Sequence, residues 1–437
     1  MSREPLHAVP HLTTALEGPL LPIERQLLSQ QTAIERWFRA QWLETPAPFY
    51  ASVDLRNAGF KLAPVDTNLF PAGFNNLKPA FYPLCVQAIQ YAVERHCPTA
   101  ARILIIPESH TRNVHYHENL ATLVDILEMA GFQVRVGWLP PELTAPQELS
   151  LPSGRRLRLE PLLRAGNTIG LADFSPCLVL LNNDLSAGRP TILENLDQRV
   201  APPLALGWAE RLKSNHFAHY RRVAREFAEL TGIDPWRIDP IFRKCGKIDF
   251  HKHEGEGCLV KNVQAVLDDV RRKYRENGID REPFVIVKAD AGTYGMNIMT
   301  VRSADEVREL NRKQRTKMAV GKEGHDVTDV MVQEGVYTFE TWAETGAVAE
   351  PVVYMIDRFV VGGFYRTHTR RGRDENLNAP GMHFEPLAFA APGTCPDPSC
   401  APDAGANRFY TYGVIARLAL VAAARELKEA TPPAPAS

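Results

Sequence analysis

The chain has 437 residues and a formal net charge of −1, and 45% of its residues are hydrophobic. This length and composition predict a globular protein of two or three domains. The near-zero charge excludes a basic surface that would bind nucleic acid or an anionic membrane. No stretch has the roughly 18 continuous apolar residues of a membrane span, and the first residues lack the apolar core of a secretory signal.

The cysteines indicate the compartment. The chain contains seven of them, scattered along its length and odd in number. Such a pattern favours reduced thiols over a disulfide framework. We therefore expect a cytoplasmic protein.

The N-terminal half predicts a helical segment, residues 1–45, followed by an α/β domain, residues 46–245. Apolar residues recur at helical spacing over residues 23–43. Farther on, the short apolar runs "FYASVDL", "ARILIIPE", "FQVRVGW" and "CLVLLNND" alternate with helical stretches, one of which closes on Gly131. This alternation predicts a mainly parallel sheet whose ligands bind beyond the carboxyl ends of the strands.

Polar residues follow two of the predicted strands. "ILIIPESHTRN" places Arg112 and Asn113 after a buried strand, and "LVLLNND" ends in three polar residues. These side chains would either bind a substrate or cap the helix that follows. We take Arg112 and Asn113 as substrate-binding candidates.

The stretch "SVDLRNAGFKLAPVDTNLFPAGFNNL", residues 52–77, predicts an ordered functional loop. It lacks regular periodicity, which is uncommon over such a length unless the loop is functional, and its aromatic residues argue against disorder. Its mixture of charges suits a small zwitterionic ligand, since cations bind carboxylates and an aspartate binds an ammonium group. We favour this interpretation over a purely structural loop, with five candidate side chains: Arg56, Asn57, Lys61, Asp66 and Asn68.

Residues 246–430 predict a second domain that begins with a hairpin. In "VIVKADAGTYGMNIMTV", strands over residues 284–288 and 297–302 flank a glycine-containing loop. A helix with a capping box, the strand "DVMVQEGV", two longer strands and a helix over residues 411–428 follow. The last residues, 431–437, are expected to be a frayed tail.

The hairpin can be a simple turn or a phosphate-binding loop, and the order of the elements after it favours the second interpretation. Phosphates need a lysine and a backbone that approaches closely, and an adenine ring needs an exposed strand edge. The candidates for nucleotide binding are Lys288, Gly292, Thr293, Gly295, Gln333, Glu334 and Val336. A triphosphate also needs a hard cation held by oxygen ligands, Mg²⁺ or alternatively Mn²⁺. The candidate metal ligands are Asp357, Glu375 and Asn378.

This arrangement resembles the ATP-grasp superfamily, in which two subdomains clamp ATP. The resemblance implies that Lys288 is the phosphate lysine, "DAGTYGMN" the glycine-rich loop and lid, and "QEGV" the adenine hinge. "EPVVYMIDRFVVGGFYR" is similar to the paired strands of glutathione synthetases, so Asp357 would bind metal and Arg366 would bind substrate and act in catalysis. The implied fold is a parallel, pre-ATP-grasp-like domain followed by an ATP-grasp-like α+β domain.

Three long motifs make the resemblance narrower. "SVDLRNAGFKLAPVDTNLFPAGFNNL", "KADAGTYGMNIMTV" and "GRDENLNAPGMHFEPLAFA" resemble the proteobacterial, Thiobacillus-type glutamate–cysteine ligase family over about residues 20–425. This implies ATP-dependent joining of L-glutamate to L-cysteine through an acyl phosphate, with ADP and phosphate released, as the first step of glutathione biosynthesis.

One departure and two alternatives remain. ATP-grasp chains usually end with a strand that carries a Glu-x-Asn metal motif, and no such strand follows "HFEPLAFA", so either "ENLN" or Glu385 would replace it. The residues alone leave open the acceptor amino acid and the oligomeric state. A ligase for another amino-acid pair and a nucleotide-binding protein without turnover are the alternatives.

Overall fold

The computed structural model describes most of the chain. The described residues are 12–14, 20–109, 113–250, 252–292, 298–310, 312–319, 329–342, 344–386, 388–390 and 408–430. Three candidates, Arg112, Thr293 and Gly295, lie outside these ranges, as do most of the predicted lid loop and the C-terminal tail.

Helices cover the sheets and join distant parts of the chain. Their bounds are α1 Pro22–Ser29, α2 Gln31–Glu44, α3 Tyr82–His96, α4 Val114–Met129, α5 Lys213–Thr231, α6 Glu256–Glu276, α7 Ala304–Arg308, α8 Arg312–Ala319 and α9 Phe409–Ala430. The single helix predicted over residues 23–43 is divided at Gln30, whose side chain donates to the carbonyl of Thr231 at the end of α5 (2.7 Å). The predicted helix end at Gly131 is borne out by a positive φ of 97°.

The first sheet is the predicted parallel one. Its order is β11-β10-β4-β5-β7-β6, and only β6 runs antiparallel to its neighbour. Its strands are β4 Arg102–Pro107, β5 Gln133–Trp138, β6 Gln147–Ser150, β7 Arg156–Pro161, β10 Leu178–Asn182 and β11 Arg199–Ala201, and a small hairpin, β8 Leu163–Ala165 with β9 Thr168–Gly170, follows β7. The central strands are buried on both faces because helices cover them.

The second sheet is antiparallel, has the order β12-β15-β13-β14, and includes the predicted hairpin. Its strands are β12 Phe242–Lys247, β13 Val285–Ala289, β14 Ile298–Val301 and β15 Asp329–Glu334. Helix α6 packs its apolar face on this sheet through Leu259, Val263 and Val270. Strand β12 crosses the domain boundary predicted at residue 245, and the division into domains remains a prediction.

The third sheet differs most from the sequence expectation, because it joins the two ends of the chain. Its order is β19-β18-β17-β2-β3, with β16 paired to β17. Its strands are β2 Tyr50–Asn57, β3 Leu62–Asn68, β16 Thr341–Trp342, β17 Ala347–Ile356, β18 Phe359–His368 and β19 His383–Pro386. A short pair, β1 Leu12–Thr14 with β20 Ala388–Ala390, also links the two ends.

The stretch predicted as a loop over residues 52–77 is therefore largely a hairpin. "FYASVDL" lies in this antiparallel sheet rather than in the parallel one, because β2 pairs with β17. Its charged residues made this stretch look like a loop in the sequence, and their side chains pair with residues from distant parts of the chain. The fold class itself is confirmed: a parallel α/β sheet precedes an antiparallel, helix-covered α+β part.

Candidate functional site

Lys288 lies at the place where the second and third sheets meet. Its Nζ donates to Gln333 Oε1 on the adjacent strand β15 (2.8 Å) and to the carbonyl of Val65 on β3 (2.7 Å). The side chain is buried, and burial lowers the pKa of Lys288 to about 8, although Asp66 acts to raise it. Gln333 Nε2 is buried and has no hydrogen-bond partner among the described residues. Lys288 and Gln333 thus offer a cation and a spare donor on the same face.

Lys61 has a different environment from the one predicted. Its side chain is 1% exposed and forms a 2.8 Å ion pair with Glu334, which is equally buried. Glu334 also accepts from Trp236 Nε1 (3.1 Å) and from the backbone N–H of Ile241 (2.9 Å). Lys61 and the Glu334 carboxylate thus neutralise each other inside the protein. They belong to the core beneath the hinge rather than to a ligand-binding surface.

Arg56 and Asn57 also have structural partners. Arg56 pairs with Glu350 (3.0 Å) and donates to the carbonyls of Val336, Arg373 and Glu375 at 3.3, 3.3 and 2.5 Å. The carboxamide of Asn57 donates to Glu340 (2.9 Å) inside the core. Arg56 thereby ties the hinge residue Val336 and the loop around residues 373–375 to the third sheet, and direct contact with substrate is not its role in this geometry.

Two asparagines predicted to bind substrate serve the local backbone. Asn113 is the N-cap of α4, and its side chain accepts from the N–H groups of His115 and Tyr116. Asn68 accepts from the N–H of Phe70 (2.9 Å) and donates to its carbonyl. The helix-cap alternative therefore describes Asn113.

Asp66, in contrast, faces the region around Lys288. It forms a 2.7 Å ion pair with Lys213, and 34% of its side chain is exposed. Burial acts to raise the pKa of Asp66, but Lys213 and Lys288 lower it to about 2. The next carbonyl in β3, that of Thr67, accepts from Arg211 (2.9 Å), which holds the strand in place. Asp66 is therefore an ionised group between two lysines.

Arg366 is shared by two carboxylates. Its Nη1 donates to Asp54 Oδ2 (2.9 Å) and to Glu350 Oε1 (2.6 Å). Its buried Nε has no hydrogen-bond partner in the part of the chain that the structure describes. Burial acts to lower the pKa of Arg366, but the two carboxylates raise it. Burial also raises the pKa of Asp54, against the effect of Arg366. The spare Nε donor leaves Arg366 able to bind one more acceptor.

The three predicted metal ligands are not brought together. Asp357 occupies the turn between β17 and β18, where it pairs with Arg95 (2.5 Å), and its N–H donates to the carbonyl of Phe49. The Glu375 carbonyl accepts from Arg56, which comes seven residues after Phe49 in the extended β2 segment. At about 3.3 Å per strand residue, Asp357 and Glu375 lie roughly 20 Å apart. The carboxylate of Glu375 accepts from the N–H of Gly372 and pairs with Arg371. The N–H of Asn378 bonds Asn376, which closes the same loop.

A closer pair of carboxylates lies on the β2–β3 hairpin. Asp54 and Asp66 are cross-strand partners, which places their Cβ atoms about 4.5–5.5 Å apart on one face. Like charges directly opposite each other are unfavourable unless a cation lies between them. Among the described side chains, no three His, Cys, Asp or Glu groups form a metal-binding cluster. Two carboxylates are nevertheless enough for Mg²⁺, which takes the rest of its ligands from phosphates and water.

The Asp54–Asp66 pair lies on the two strands at one end of the third sheet. Strand β3 with "DTN" lies at the edge of the third sheet, and helix α9 packs on β2 and β3. Strand β2, which carries Asp54, pairs with the late strand β17, so residues from distant parts of the chain lie side by side here. Sequence reasoning missed Asp54, Glu350 and Lys213. Of these, Glu350 has a readable signal, because it interrupts an apolar strand.

The glycine loop and the hinge are described in part. Gly292 has a φ of 89°, a conformation that favours glycine, and lies three residues after the end of β13. Val336 is buried, and its carbonyl is held by Arg56. The start of the glycine loop and the hinge therefore lie on opposite sides of the Lys288–Gln333 pair.

Residues 24–427 match the family model described as glutamate-cysteine ligase. The chain belongs to the glutamate–cysteine ligase family. A crystal structure at 1.90 Å from Methylobacillus flagellatus KT, of a protein provisionally named a gamma-glutamylcysteine synthetase, is 61% identical, with a TM-score of 0.85 over 97% of this chain and 100% of that chain. These matches confirm the family and the ligase class predicted from the motifs, and they support γ-glutamylcysteine formation over the alternatives. A ligase of this family uses ATP and small-molecule substrates.

More distant matches add little. D-cycloserine synthetase DcsG is 13% identical, with a TM-score of 0.35 over 74% of this chain and 81% of that one. A glutathione synthetase-like effector from Globodera pallida is 10% identical, with a TM-score of 0.39 over 86% and 89%. Neither similarity is close enough to support a functional argument. The search of curated proteins found no match, and within the described ranges no helix is both long and apolar enough to cross a membrane.

Proposed function

We propose that the protein joins the γ-carboxylate of L-glutamate to the amine of L-cysteine at the cleft between the second and third sheets, with ATP activating the carboxylate as an acyl phosphate. The observation that carries this proposal is the environment of Lys288. Its ammonium group is buried beside Gln333, donates to two neutral oxygens of the described residues, and faces the Asp54–Asp66 hairpin across the sheet junction.

Each group near the junction has a task in that reaction. Lys288 and the spare Gln333 Nε2 bind phosphate oxygens of ATP. Arg366 uses its spare Nε to bind the glutamate carboxylate that reacts, with Asp54 and Glu350 fixing the guanidinium in position. No protein nucleophile is required, because alignment and charge neutralisation provide most of the rate enhancement.

The donor set at the hairpin fits a divalent cation. We infer that Asp54 and Asp66 would hold Mg²⁺, or alternatively Mn²⁺, in place of the set around Asp357. When bound, such an ion neutralises charge on the phosphate oxygens. The protein's own contribution is to place a cation beside each carboxylate: Arg366 neighbours Asp54, and Lys213 neighbours Asp66.

We also infer that the protein works in the cytoplasm on small molecules alone. All five cysteines among the described residues are free thiols, which suits a reducing compartment. The net charge of −1 gives no reason to expect a nucleic-acid partner.

The test uses glutamate labelled with ¹⁸O in its γ-carboxylate, together with ATP, Mg²⁺ and cysteine. Direct phosphorylation transfers one labelled oxygen into inorganic phosphate and releases ADP, and both are read by mass spectrometry. Release of AMP and pyrophosphate, or of unlabelled phosphate, would contradict the acyl-phosphate route. Omitting cysteine, or replacing it with other amino acids in parallel reactions, identifies the acceptor.

A further inference from the structure

Two cysteines lie together on the second sheet, on the far side from the proposed site. Cys245 is in β12, and Cys258 is in the first turn of α6. The side chain of Asn262 contacts both sulfurs, with its Nδ2 3.1 Å from Cys245 Sγ and 3.6 Å from Cys258 Sγ. The two sulfurs therefore lie no more than 6.7 Å apart, the sum of those distances. Cys258 Sγ also contacts the carbonyl of Cys245 (3.8 Å).

The backbone on each side of this pair permits the sulfurs to approach. Strand β12 is irregular at Cys245, where the register with β15 shifts between Lys244 and Gly246. Gly246 has a φ of 72°, with open space where a Cβ would be. Cys258 is exposed at the start of its helix, so its side chain has room for the change of rotamer that a disulfide with Cys245 requires.

The surroundings of Cys258 suit an acidic reagent. Cys258 lines an open groove together with Glu256 and two exposed cations, Lys261 and Arg308. Arg308 also forms an exposed ion pair with Asp305. A small disulfide that carries carboxylates can place a sulfur on Cys258 while its carboxylates contact these cations. Cys245 is half-buried, and burial raises its pKa to about 11, with Asn262 lowering it and Cys258 and Asp290 raising it. Cys258 is therefore the first thiol to react.

We propose that Cys245 and Cys258 form a reversible disulfide when a small acidic disulfide, such as glutathione disulfide, oxidises them. The Cys258 thiolate attacks one sulfur of the reagent, and one glutathione thiol leaves with a proton, which gives a mixed disulfide. The Cys245 thiolate then attacks Cys258 Sγ, and the second glutathione thiol leaves with the other proton. Two protein thiols are oxidised, and one disulfide is reduced to two thiols.

The test exposes the full-length protein to glutathione disulfide and follows it by intact mass and by peptide mapping. The wild type is expected to lose two free thiols, to yield a disulfide-linked peptide pair containing Cys245 and Cys258, and to recover both thiols in dithiothreitol. Cys245→Ser is expected to stop at one glutathione bound to Cys258. Cys258→Ser is expected to form neither product. Cys177→Ser, a half-buried thiol elsewhere, is the matched control and should behave as the wild type.

Two results would overturn the proposal. One is a wild type that keeps bound glutathione on Cys258 as Cys245→Ser does, since Cys245 would then be unable to reach it. The other is a wild type whose Cys245 and Cys258 remain free under conditions that oxidise an unfolded control of the same chain. These readouts record thiol chemistry alone, so either failure leaves the proposed ligase reaction unaffected.

Discussion

Two buried lysines contact side chains on opposite faces of strand β15. Their partners differ, and the difference distinguishes a structural lysine from one that can bind a ligand. Lys61 pairs directly with Glu334, whereas Lys288 bonds Gln333 and a backbone carbonyl. Gln333 and Glu334 are adjacent in β15, so their side chains point to opposite faces of the sheet. One face neutralises its lysine with a dedicated carboxylate, and the other leaves its lysine with neutral partners. A buried cation without a dedicated counter-charge is the one that can receive an anionic ligand.

The largest effect is expected at the structural lysine. Lys61→Met leaves the Glu334 carboxylate buried without a counter-charge, which should lower the free energy of unfolding by about 3–5 kcal/mol, measured by urea denaturation. Adding Glu334→Gln keeps the acceptor for Trp236 and should recover much of the loss. A stable Lys61→Met enzyme with a raised KM for glutamate would instead indicate that Lys61 binds substrate.

Lys288→Met should give the opposite result. Turnover at saturating ATP is expected to fall about 100- to 1,000-fold, because a preorganised positive charge at the phosphates is lost. The thermal midpoint should fall little or even rise, since the charged form of Lys288 is disfavoured by burial. Wild-type turnover in this variant would end the assignment of Lys288 to phosphate binding.

The arginines extend the contrast. Arg366→Lys keeps a charge for Asp54 and Glu350 but removes the spare Nε donor. The KM for glutamate should rise about 10- to 150-fold, as expected for a lost charge-assisted contact of about 1.5–3 kcal/mol. Arg56→Lys is the matched control, because the guanidinium of Arg56 is taken up by Glu350 and backbone carbonyls. If Arg366→Lys changed the KM for ATP alone, Arg366 would not be a glutamate-binding residue.

The smallest effect concerns pH. The folded-state pKa of Lys288 is about 8, below the usual 10.5, so the unfolded chain binds more protons than the folded chain between these values. Stability should therefore rise with pH across that window. Relative to Lys288→Met, the wild type should gain about 1–3 kcal/mol in unfolding free energy between pH 8 and pH 10. Parallel pH dependences of the two proteins would contradict the lowered pKa.

The sequence predicted the elements that depend on local pattern. The strand before Lys288, the strand that ends in Gln333 and Glu334, and the turn at Gly131 follow from apolar periodicity and glycine chemistry. The motifs also predicted the family. The pairing of β2 with β17 could not be predicted, because charged residues such as Arg56 look like loop residues until their partners, here Glu350, are known.

The same limit explains the site residues. A charged side chain in a motif can bind a ligand or another part of the protein, and the sequence does not show which. Lys61 and Asp357 have protein counter-ions, Glu334 and Arg95, that come from distant positions. Asp66 was recognised as a site candidate, whereas its cross-strand partner Asp54 was missed because a single aspartate between Val53 and Leu55 carries little signal by itself.

The pairing of β2 with β17 has a consequence for the making of the protein. The partner of Tyr50 in this sheet is Ile356, so roughly 300 residues must be synthesised between the two halves of the pair. At about 5–20 residues per second, the nascent strand waits roughly 15–60 s for its neighbour. During this time its edge is available to chaperones and to other chains. Translation products that stop before residue 347 would contain Asp54, Asp66 and Lys288 and still lack the strand on which Asp54 and Arg56 depend.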